Sequence, residues 1–251
     1  MTNNFKNTAI IILAAGKGKR LVCNDKPKVL YKIGGRQIIS YILEKFTQAG
    51  VLKKQICLVV GFKADQVKAE IGPGYCYALQ TECLGTAQAA HTGEKVLSRN
   101  FDNLLILNGD DSAFYTFESL NNFVGEHKEN NNDITLLTCE PKDPLGLGRV
   151  VRNKDNKVVA VVEKENMILQ HKKIREISTG TFCFKRSWFN KHYANLKPIP
   201  GLGELGLPSF VAEALKNNAE FEAVKLKNPD EWFGVNTREQ LAEADRRKRL
   251  G

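Results

Sequence analysis

Residues 8–20 read TAIIILAAGKGKR, an apolar run that passes directly into a basic turn with two glycines. The apolar part, Thr8–Ala14, is dense in β-branched and leucine side chains, which is typical of a strand buried on both faces of a parallel sheet. The glycines let backbone N–H groups come close to a base or a phosphate, and the cations add positive charge. Because ligands of open α/β sheets bind where strands end, this stretch predicts an anion-binding cradle.

The glycine turn does not match the two best-known phosphate-binding motifs. A dinucleotide-binding fold has G-x-G-x-x-G and a P-loop has G-x-x-x-x-G-K-[ST], whereas this turn offers only Gly16-x-Gly18. A basic element, Lys26-Pro27-Lys28-Val29-Leu30, follows a few residues later. The sequence therefore predicts a different kind of nucleotide or phosphate site.

Further along the chain, buried strands alternate with amphipathic helices. Short apolar runs at 55–60, 103–107 and 134–138 have the same character as the first strand. Two helical patterns lie between them, one from Ile38 to Phe46 and one from Phe117 to Val124, each with its apolar residues on one side. This alternation predicts a doubly wound, mostly parallel α/β sheet flanked by helices, a Rossmann-like class.

The second half of the chain predicts an added antiparallel portion. Valine-rich runs at 150–152 and 158–162 flank a polar turn and indicate a hairpin, and a further strand is expected at 176–184. Helices are expected at 208–216 and 238–249, and Thr237 and Gln240 have capping-box spacing before the second of these. We expect one domain over residues 1–251.

The composition indicates a soluble globular protein and argues against a membrane or secreted one. The 251 residues carry 37 Lys and Arg against 28 Asp and Glu, a net charge of +9, with 42% hydrophobic residues, as in an ordinary soluble globular protein. No apolar run approaches the roughly 20 residues of a membrane span, and residues 1–8 lack the apolar core of a secretory signal. We expect a cytoplasmic protein that binds neither membrane nor nucleic acid, because no aromatic-and-basic recognition element is visible.

A two-part signature and six further segments, in order along the chain, resemble those of the sugar-1-phosphate nucleotidyltransferases. The family signature L-A-A-G-x-G-x-R followed by P-K-x-L is present at 13–20 and 27–30. The other segments follow in the family's order: 80–89 (QTECLGTAQA), 108–110 (NGD), 148–150 (GRV), 162–164 (VEK), 177–180 (ISTG) and 234–236 (GVN). Segments 80–89 and 234–238 are most similar to the uridyltransferase domain of N-acetylglucosamine-1-phosphate uridyltransferases. The hexapeptide repeats of their left-handed β-helix acetyltransferase domain are absent, so the resemblance implies the uridyltransfer half alone.

The resemblance implies roles for individual residues. The uracil would be held by Leu13, Ala14, Ala15, Gly16, Gln80, Gly85 and Thr86. Arg20 and Lys28 would be the catalytic residues that contact the triphosphate, and Asp110 and Asn236 would bind Mg²⁺. Gly148 and Glu163 would hold the sugar, with Ser178 and Thr179 beside it.

Elementary chemistry agrees with these roles. A sugar phosphate that attacks the α-phosphorus of a nucleoside triphosphate is already anionic and needs no protein nucleophile. Catalysis then rests on positioning and on neutralising charge, which Mg²⁺, Arg and Lys provide. The expected reaction is UTP with N-acetylglucosamine 1-phosphate, giving UDP-N-acetylglucosamine and pyrophosphate.

Three departures from the family pattern keep alternatives open. Asn108 stands where the branch has Tyr, Asp111 adds a carboxylate beside Asp110, and Ser178 stands where the branch has Asn. One alternative is a nucleotidyltransferase for another base or phosphate acceptor, such as a cytidylyltransferase. The other is a nucleotide-sugar-binding protein without turnover.

Overall fold

A computed structural model of the chain describes residues 3–18, 21 and 26–250. The strands, in chain order, are β1 (Thr8–Ala14), β2 (Lys32–Ile33), β3 (Arg36–Gln37), β4 (Ile56–Val60), β5 (Cys76–Leu79), β6 (Asn103–Asn108), β7 (Ile134–Cys139), β8 (Arg149–Arg152), β9 (Val158–Val162), β10 (Ile177–Lys185) and β11 (Phe221–Lys225). The helices are α1 (Ile38–Gln48), α2 (Ala64–Ile71), α3 (Thr86–Glu94), α4 (Phe117–Glu129), α5 (Arg186–Tyr193), α6 (Ser209–Lys216) and α7 (Arg238–Leu250).

Seven strands form one mixed sheet in the order β11-β7-β10-β6-β1-β4-β5. All neighbours pair in parallel except β10, which runs antiparallel between β6 and β7. β1 lies between β4 and β6, with Ile10 opposite both Ile56 and Leu105. The predicted doubly wound, mostly parallel fold class is confirmed.

The sheet is covered on both faces, which explains why β1 is apolar at every position. Ile10 and Ile12 pack on the side of α1 and α4, with Phe46 and Phe123. Ile11 and Leu13 pack on the other side. There the helices α3, α5 and α6 cover the sheet, and Phe189 and Phe210 stack against each other with ring centroids 4.9 Å apart.

The antiparallel portion has two parts. β10 joins the main sheet, while β8 and β9 form a separate two-stranded hairpin that hydrogen-bonds to the residue before β10, Val150 N to Glu176 O at 3.0 Å. The hairpin turn is the predicted polar one, and Asn156 adopts a positive φ of 61°, which asparagine tolerates. The hairpin thus extends β10 at one end and does not widen the central sheet.

The terminal helix α7 begins at the predicted capping box. Gln240 N donates to Thr237 Oγ1 at 3.2 Å, and Thr237 N donates to Gln240 Oε1 at 3.1 Å. The basic end of α7 is paired within the helix, since Arg246 and Arg247 contact Glu243 and Arg249 contacts Asp245. Within the described ranges, no helix has both the length and the apolar character needed to cross a bilayer.

Candidate active site

The carboxyl ends of β1 and β6 lie side by side and form the floor of the candidate site. Gly109, directly after β6, donates its N–H to Leu13 O at 2.9 Å. A Cβ at position 109 would lie 3.0 Å from Val29 Cγ1 and 3.2 Å from Leu13 O. Any side chain here would crowd this close approach, which places the first glycine turn next to the Asn108-Gly109-Asp110 segment.

Lys28, Asp110 and Asn236 converge on one point above this floor. Lys28 follows Pro27 in a short 3-10 turn, and its Nζ contacts Asp110 Oδ2 and lies 2.8 Å from Asn236 Oδ1. Asp110 and Asn236 are also linked through the backbone, because Val235 N donates to Asp110 O at 3.3 Å. The Lys28 and Asp110 side chains are 11% and 24% exposed, so the ion pair is partly shielded from water.

The two oxygens fit a magnesium ion. Asp110 Oδ2 and Asn236 Oδ1 both approach a single cationic nitrogen, so they point to a common place where a cation is stabilised. Mg²⁺ takes oxygen ligands, usually one or two from protein and the remainder from phosphates and water. No group of three or more His, Cys, Asp or Glu side chains that could hold a metal occurs among the residues that the structure describes. A magnesium ion here would complete its shell from substrate and water.

Asn108 and Asp111, two of the departures from the family pattern, are paired with each other. Asn108 Nδ2 donates to Asp111 Oδ2 at 3.1 Å. Asp111 is buried, its Oδ1 has no partner among the described residues, and burial together with the negative charge of Asp110 raises its pKa well above the usual value. The added carboxylate therefore lies in the interior beside the candidate metal ligands, where Asn108 satisfies one of its oxygens.

Gln80 occupies the edge of the site beyond β4. Its backbone N–H donates to Val60 O at 2.8 Å, and the side chain is buried. The side-chain Nε2 donates to Gly85 O at 3.3 Å and to Gln88 Oε1 at 2.7 Å. Because Gly85 O can only accept, it fixes which end of the Gln80 amide is the nitrogen. The carbonyl oxygen Oε1 is left facing away from these two partners.

Gly85 and Thr86 at the start of α3 are held by the segment 205–207. Gly85 has φ +116°, and a Cβ there would lie 2.4 Å from Leu205 O. Ala87 N donates to Leu205 O at 2.8 Å, and Leu207 N donates to Thr86 Oγ1 at 2.8 Å. The Thr86 hydroxyl thus positions a neighbouring loop, and the glycine is required by the backbone contact.

The sugar residues implied by the resemblance fall into two groups. Gly148 and Glu163 are adjacent, because a Cβ at Gly148 would lie 3.3 Å from Glu163 Oε2. Ser178 is half-buried and its Oγ accepts from Gly180 N at 3.2 Å. The Thr179 side chain is buried and donates to Leu137 O at 2.8 Å, while Thr179 O accepts from Trp232 Nε1 at 3.2 Å. Thr179 therefore anchors the first part of β10 through both of these groups.

The first glycine turn is described only in part. Leu13, Ala14 and Ala15 are buried, and Gly16 is exposed with open space around it. Ala15 O accepts from Phe62 N at 3.1 Å, which joins the turn to the end of β4. Arg20, predicted to contact the triphosphate, lies outside the described residues.

Two structural contributors were missed by sequence reasoning. Gln88 accepts a second hydrogen bond from the Gln80 amide, and residues 205–207 support Gly85 and Thr86. Gln88 falls within segment 80–89, eight residues after Gln80. The signal that could have identified it is the start of a helix at Thr86, because the helix places Gln88 beside Gln80. The 205–207 contact is made between distant parts of the chain and leaves no periodic pattern.

The sheet is mostly parallel, and a lysine, an aspartate and an asparagine lie together at its strand ends beside a glycine turn. This arrangement is typical of α/β proteins that bind nucleotides. The profile of the nucleotidyl transferase family matches residues 9–248, so the chain belongs to this family. The bifunctional protein GlmU of Pelotomaculum thermopropionicum is 37% identical over 238 residues, 95% of this chain and 51% of that protein. GlmU of Streptococcus uberis is 34% identical over 235 residues, 94% of this chain and 50% of that protein. The chain spans about half the length of the curated relatives it matches.

A solved structure has the same fold. A Bacillus anthracis protein assigned as a glucose-1-phosphate thymidylyltransferase, crystallised with sucrose, superposes with a TM-score of 0.77 at 22% identity. The match covers 96% of this chain and 95% of that one. The sequence-based assignment to the nucleotidyltransferases is confirmed.

Proposed function

We propose that the chain transfers a uridylyl group from UTP to N-acetylglucosamine 1-phosphate and releases pyrophosphate, with Mg²⁺ as cofactor. The convergence of Lys28, Asp110 and Asn236, which are far apart in sequence, is the observation that carries this proposal. Family membership supports nucleotidyl transfer. The GlmU relatives and the resemblance of segments 80–89 and 234–238 to uridyltransferases support the choice of UTP and of this sugar.

The arrangement suits a direct displacement. An oxygen of the acceptor phosphate forms a bond to the α-phosphorus of UTP while the bond from that phosphorus to the β-phosphate oxygen breaks and pyrophosphate leaves. The Lys28 ammonium, together with Arg20, neutralises charge on the triphosphate, which is the main way in which proteins accelerate phosphoryl transfer. Asp110 and Asn236 would hold Mg²⁺, which supplies further positive charge and orients the phosphates.

Gln80 supports a uracil or thymine base over cytosine. With its Nε2 committed to Gly85 O and Gln88 Oε1, the side chain offers Oε1 as an acceptor to a ligand. Uracil and thymine carry an N3–H donor that such an oxygen can accept, whereas cytosine N3 is itself an acceptor. Cytosine could meet this oxygen only through its exocyclic amine, so the cytidylyltransferase alternative would need the base to lie in a different position.

The proposal is tested by pyrophosphate release. Purified protein is incubated with Mg²⁺, each of UTP, dTTP and CTP, and a panel of sugar 1-phosphates whose ring substituents are hydroxyl or N-acetyl groups, with UTP and N-acetylglucosamine 1-phosphate expected to react fastest. Lys28→Ala and Asp110→Ala should each lower kcat/KM by about 100-fold or more, in the range found when a transition-state donor is removed. The matched control is Lys32→Ala, which removes an exposed lysine from β2.

The outcomes separate the alternatives. Absence of pyrophosphate release with every pair, together with tight binding of UDP-N-acetylglucosamine, would establish the non-catalytic binding protein. Full activity in Lys28→Ala or Asp110→Ala would show that the site lies elsewhere. Faster reaction with CTP would overturn the base preference argued from Gln80.

A further inference from the structure

A cavity of about 610 Å³ begins at Glu163, on the sugar side of the site. Its walls come from the end of β9, from residues 195–200 and from the first turns of α6. Most of its lining side chains are aliphatic or proline, among them Val161, Val162, Leu196, Ile199, Pro208 and Ala212. Small-molecule sites of this size, about 300–1,000 Å³, usually combine an apolar wall with a few polar groups.

The polar groups of the cavity are divided between structural and available ones. Asn166 donates to Pro200 O at 2.9 Å, and Glu213 Oε1 accepts from His192 Nδ1 at 3.0 Å and from Asn217 Nδ2 at 2.9 Å. The Glu163 side chain makes no hydrogen bond or ion pair with another described residue, and burial raises its pKa. Ser209 Oγ is buried and has no partner in the described part of the chain. Glu163 and Ser209 are thus available to a ligand within the cavity, and the exposed Lys197 and Lys216 add two cations to its lining.

The cavity adjoins both substrate segments of the site. Glu163 is in contact range of Gly148, the other predicted sugar residue. On the opposite side, a Cβ at Gly206 would lie 2.4 Å from Ile199 Cδ1, so the cavity wall packs on the segment 205–207 that holds Gly85 and Thr86. A ligand bound between the sugar and nucleotide residues would reach the cavity through Glu163.

The wall is preorganised for apolar contact. Pro198, Pro200 and Pro208 restrict the backbone, and Ile199 N donates to Glu204 O at 2.9 Å. A rigid apolar wall binds at a low entropic cost, because little of it must be ordered by the ligand.

We propose that this cavity is a subsite for an apolar substituent on the sugar ring of the acceptor, longer than an acetyl group. Glu163 accepts from a ring hydroxyl, and the aliphatic wall buries the substituent. The inference rests on the proposed function, because it takes the acceptor to be a sugar 1-phosphate bound at Gly148 and Glu163. The substrate class is then an N-acylated or similarly alkylated sugar 1-phosphate.

The test uses a series of N-acyl glucosamine 1-phosphates with acetyl, propanoyl and butanoyl groups. Burial of each added methylene should raise kcat/KM about fourfold, so the butanoyl substrate should exceed the acetyl substrate by about 15-fold. Ala212→Phe fills the cavity and should reduce this ratio to about one. Leu215→Phe on the same helix, at a side chain that is 39% exposed and does not line the cavity, should keep the full ratio.

One further variant and two further measurements keep the outcome clear. Ala212→Leu is a smaller filling that should reduce the ratio partially, and circular dichroism reports whether each variant is folded. Calorimetric titration of the wild-type chain with the three acyl compounds measures binding without turnover and should show the same order of affinity. Turnover with a flat acyl series, or a full ratio in folded Ala212→Phe, would overturn the subsite and leave the proposed function standing. No turnover but graded binding would overturn the proposed function and support the subsite.

Discussion

Asn108 and Asp111 show, at the scale of single residues, how two departures from a family pattern depend on each other. A buried carboxylate without partners is costly, and the Asn108 amide supplies a hydrogen bond to Asp111 Oδ2. A Cβ at Gly180 would lie 2.4 Å from Asn108 Nδ2, so glycine is needed for the amide to fit beside β10. The sequence shows all three residues, but their mutual contacts appear only in the folded chain.

His127 is buried at the amino ends of β6 and β7, opposite to the strand ends that form the candidate site. Its protonation is therefore separate from the proposed reaction. Its ring nitrogens contact Thr135 Oγ1 at 2.8 Å and Asn103 Oδ1 at 3.2 Å. Burial, then the charge of Lys185, lowers the pKa of His127 to about 4, while Asp133 acts in the other direction. The folded chain therefore binds a proton at His127 less readily than the unfolded chain does.

The consequence is a loss of stability in acid. Above about pH 6.5 neither state is protonated at His127, and as the pH falls from 6.5 to 4 the unfolded state binds the proton first. The folded state should lose about 2–3 kcal/mol from this residue over that window. Urea unfolding at pH 7.5 and pH 4.5 should show a smaller acid loss for His127→Gln than for the wild type. His171→Gln, which removes a half-buried histidine, is the matched control, and equal acid losses in both variants would contradict the assignment.

At the scale of elements, the cap of α7 also positions a site residue. Gln240 Oε1 accepts from Thr237 N at 3.1 Å and from Asn236 N at 2.7 Å, so the helix start fixes the backbone that presents the Asn236 amide to Lys28. Thr237→Ala should cost about 1 kcal/mol of stability, as for other lost helix caps. It should also lower kcat/KM severalfold, because Thr237 Oγ1 holds the Gln240 backbone and the Gln240 side chain in turn holds Asn236 N.

The control for this prediction is a cap elsewhere. Thr116 Oγ1 accepts from Ser119 N at 3.1 Å at the start of α4, and Thr116→Ala should cost a similar free energy of unfolding. Activity should not change in that variant. If both variants lose activity in proportion to stability, the α7 cap has no special role in positioning Asn236.

Many of the elements that the sequence predicted carry a strong apolar pattern. β1, β4, β6 and β7 are continuous apolar runs, and α1 and α4 each bury one apolar face. α3 was missed because it packs through small residues. A Cβ at Gly93 would lie 2.8 Å from Val59 Cγ2 and 2.9 Å from Ile11 Cγ2, so closeness to the sheet excludes the large side chains that give a period. β11 was missed because its side chains are mostly half-buried.

Local sequence patterns do not predict the order of the strands in the sheet. β10 lies between β6 and β7 although it follows them in sequence by about 40 residues or more, and its pairing is set by contacts across the sheet. The candidate site was predicted from a resemblance, because no local period connects Lys28 with Asp110 and Asn236. The fold brings these residues together by placing the ends of neighbouring strands at one edge.

At the scale of the whole molecule, the site joins the first and last parts of the chain. Lys28 follows β1, Asp110 follows β6 in the middle of the sheet, and Asn236 precedes α7. A ligand that contacts all three can bind only the folded chain, since these segments are independent when it is unfolded. Binding of UTP with Mg²⁺ is therefore expected to stabilise the entire fold.

The size of this stabilisation follows from mass action. At a free UTP concentration 100 times its Kd, the free energy of unfolding should rise by about 2.7 kcal/mol. For a chain of this length the melting temperature should rise by about 5–10 °C. Lys28→Ala should show a much smaller shift at the same UTP concentration, because the Kd increases, whereas Lys32→Ala should match the wild type. Scanning calorimetry with UTP, with and without Mg²⁺, measures both effects. An equal shift in Lys28→Ala would mean that the triphosphate binds away from the point where the two ends of the chain meet.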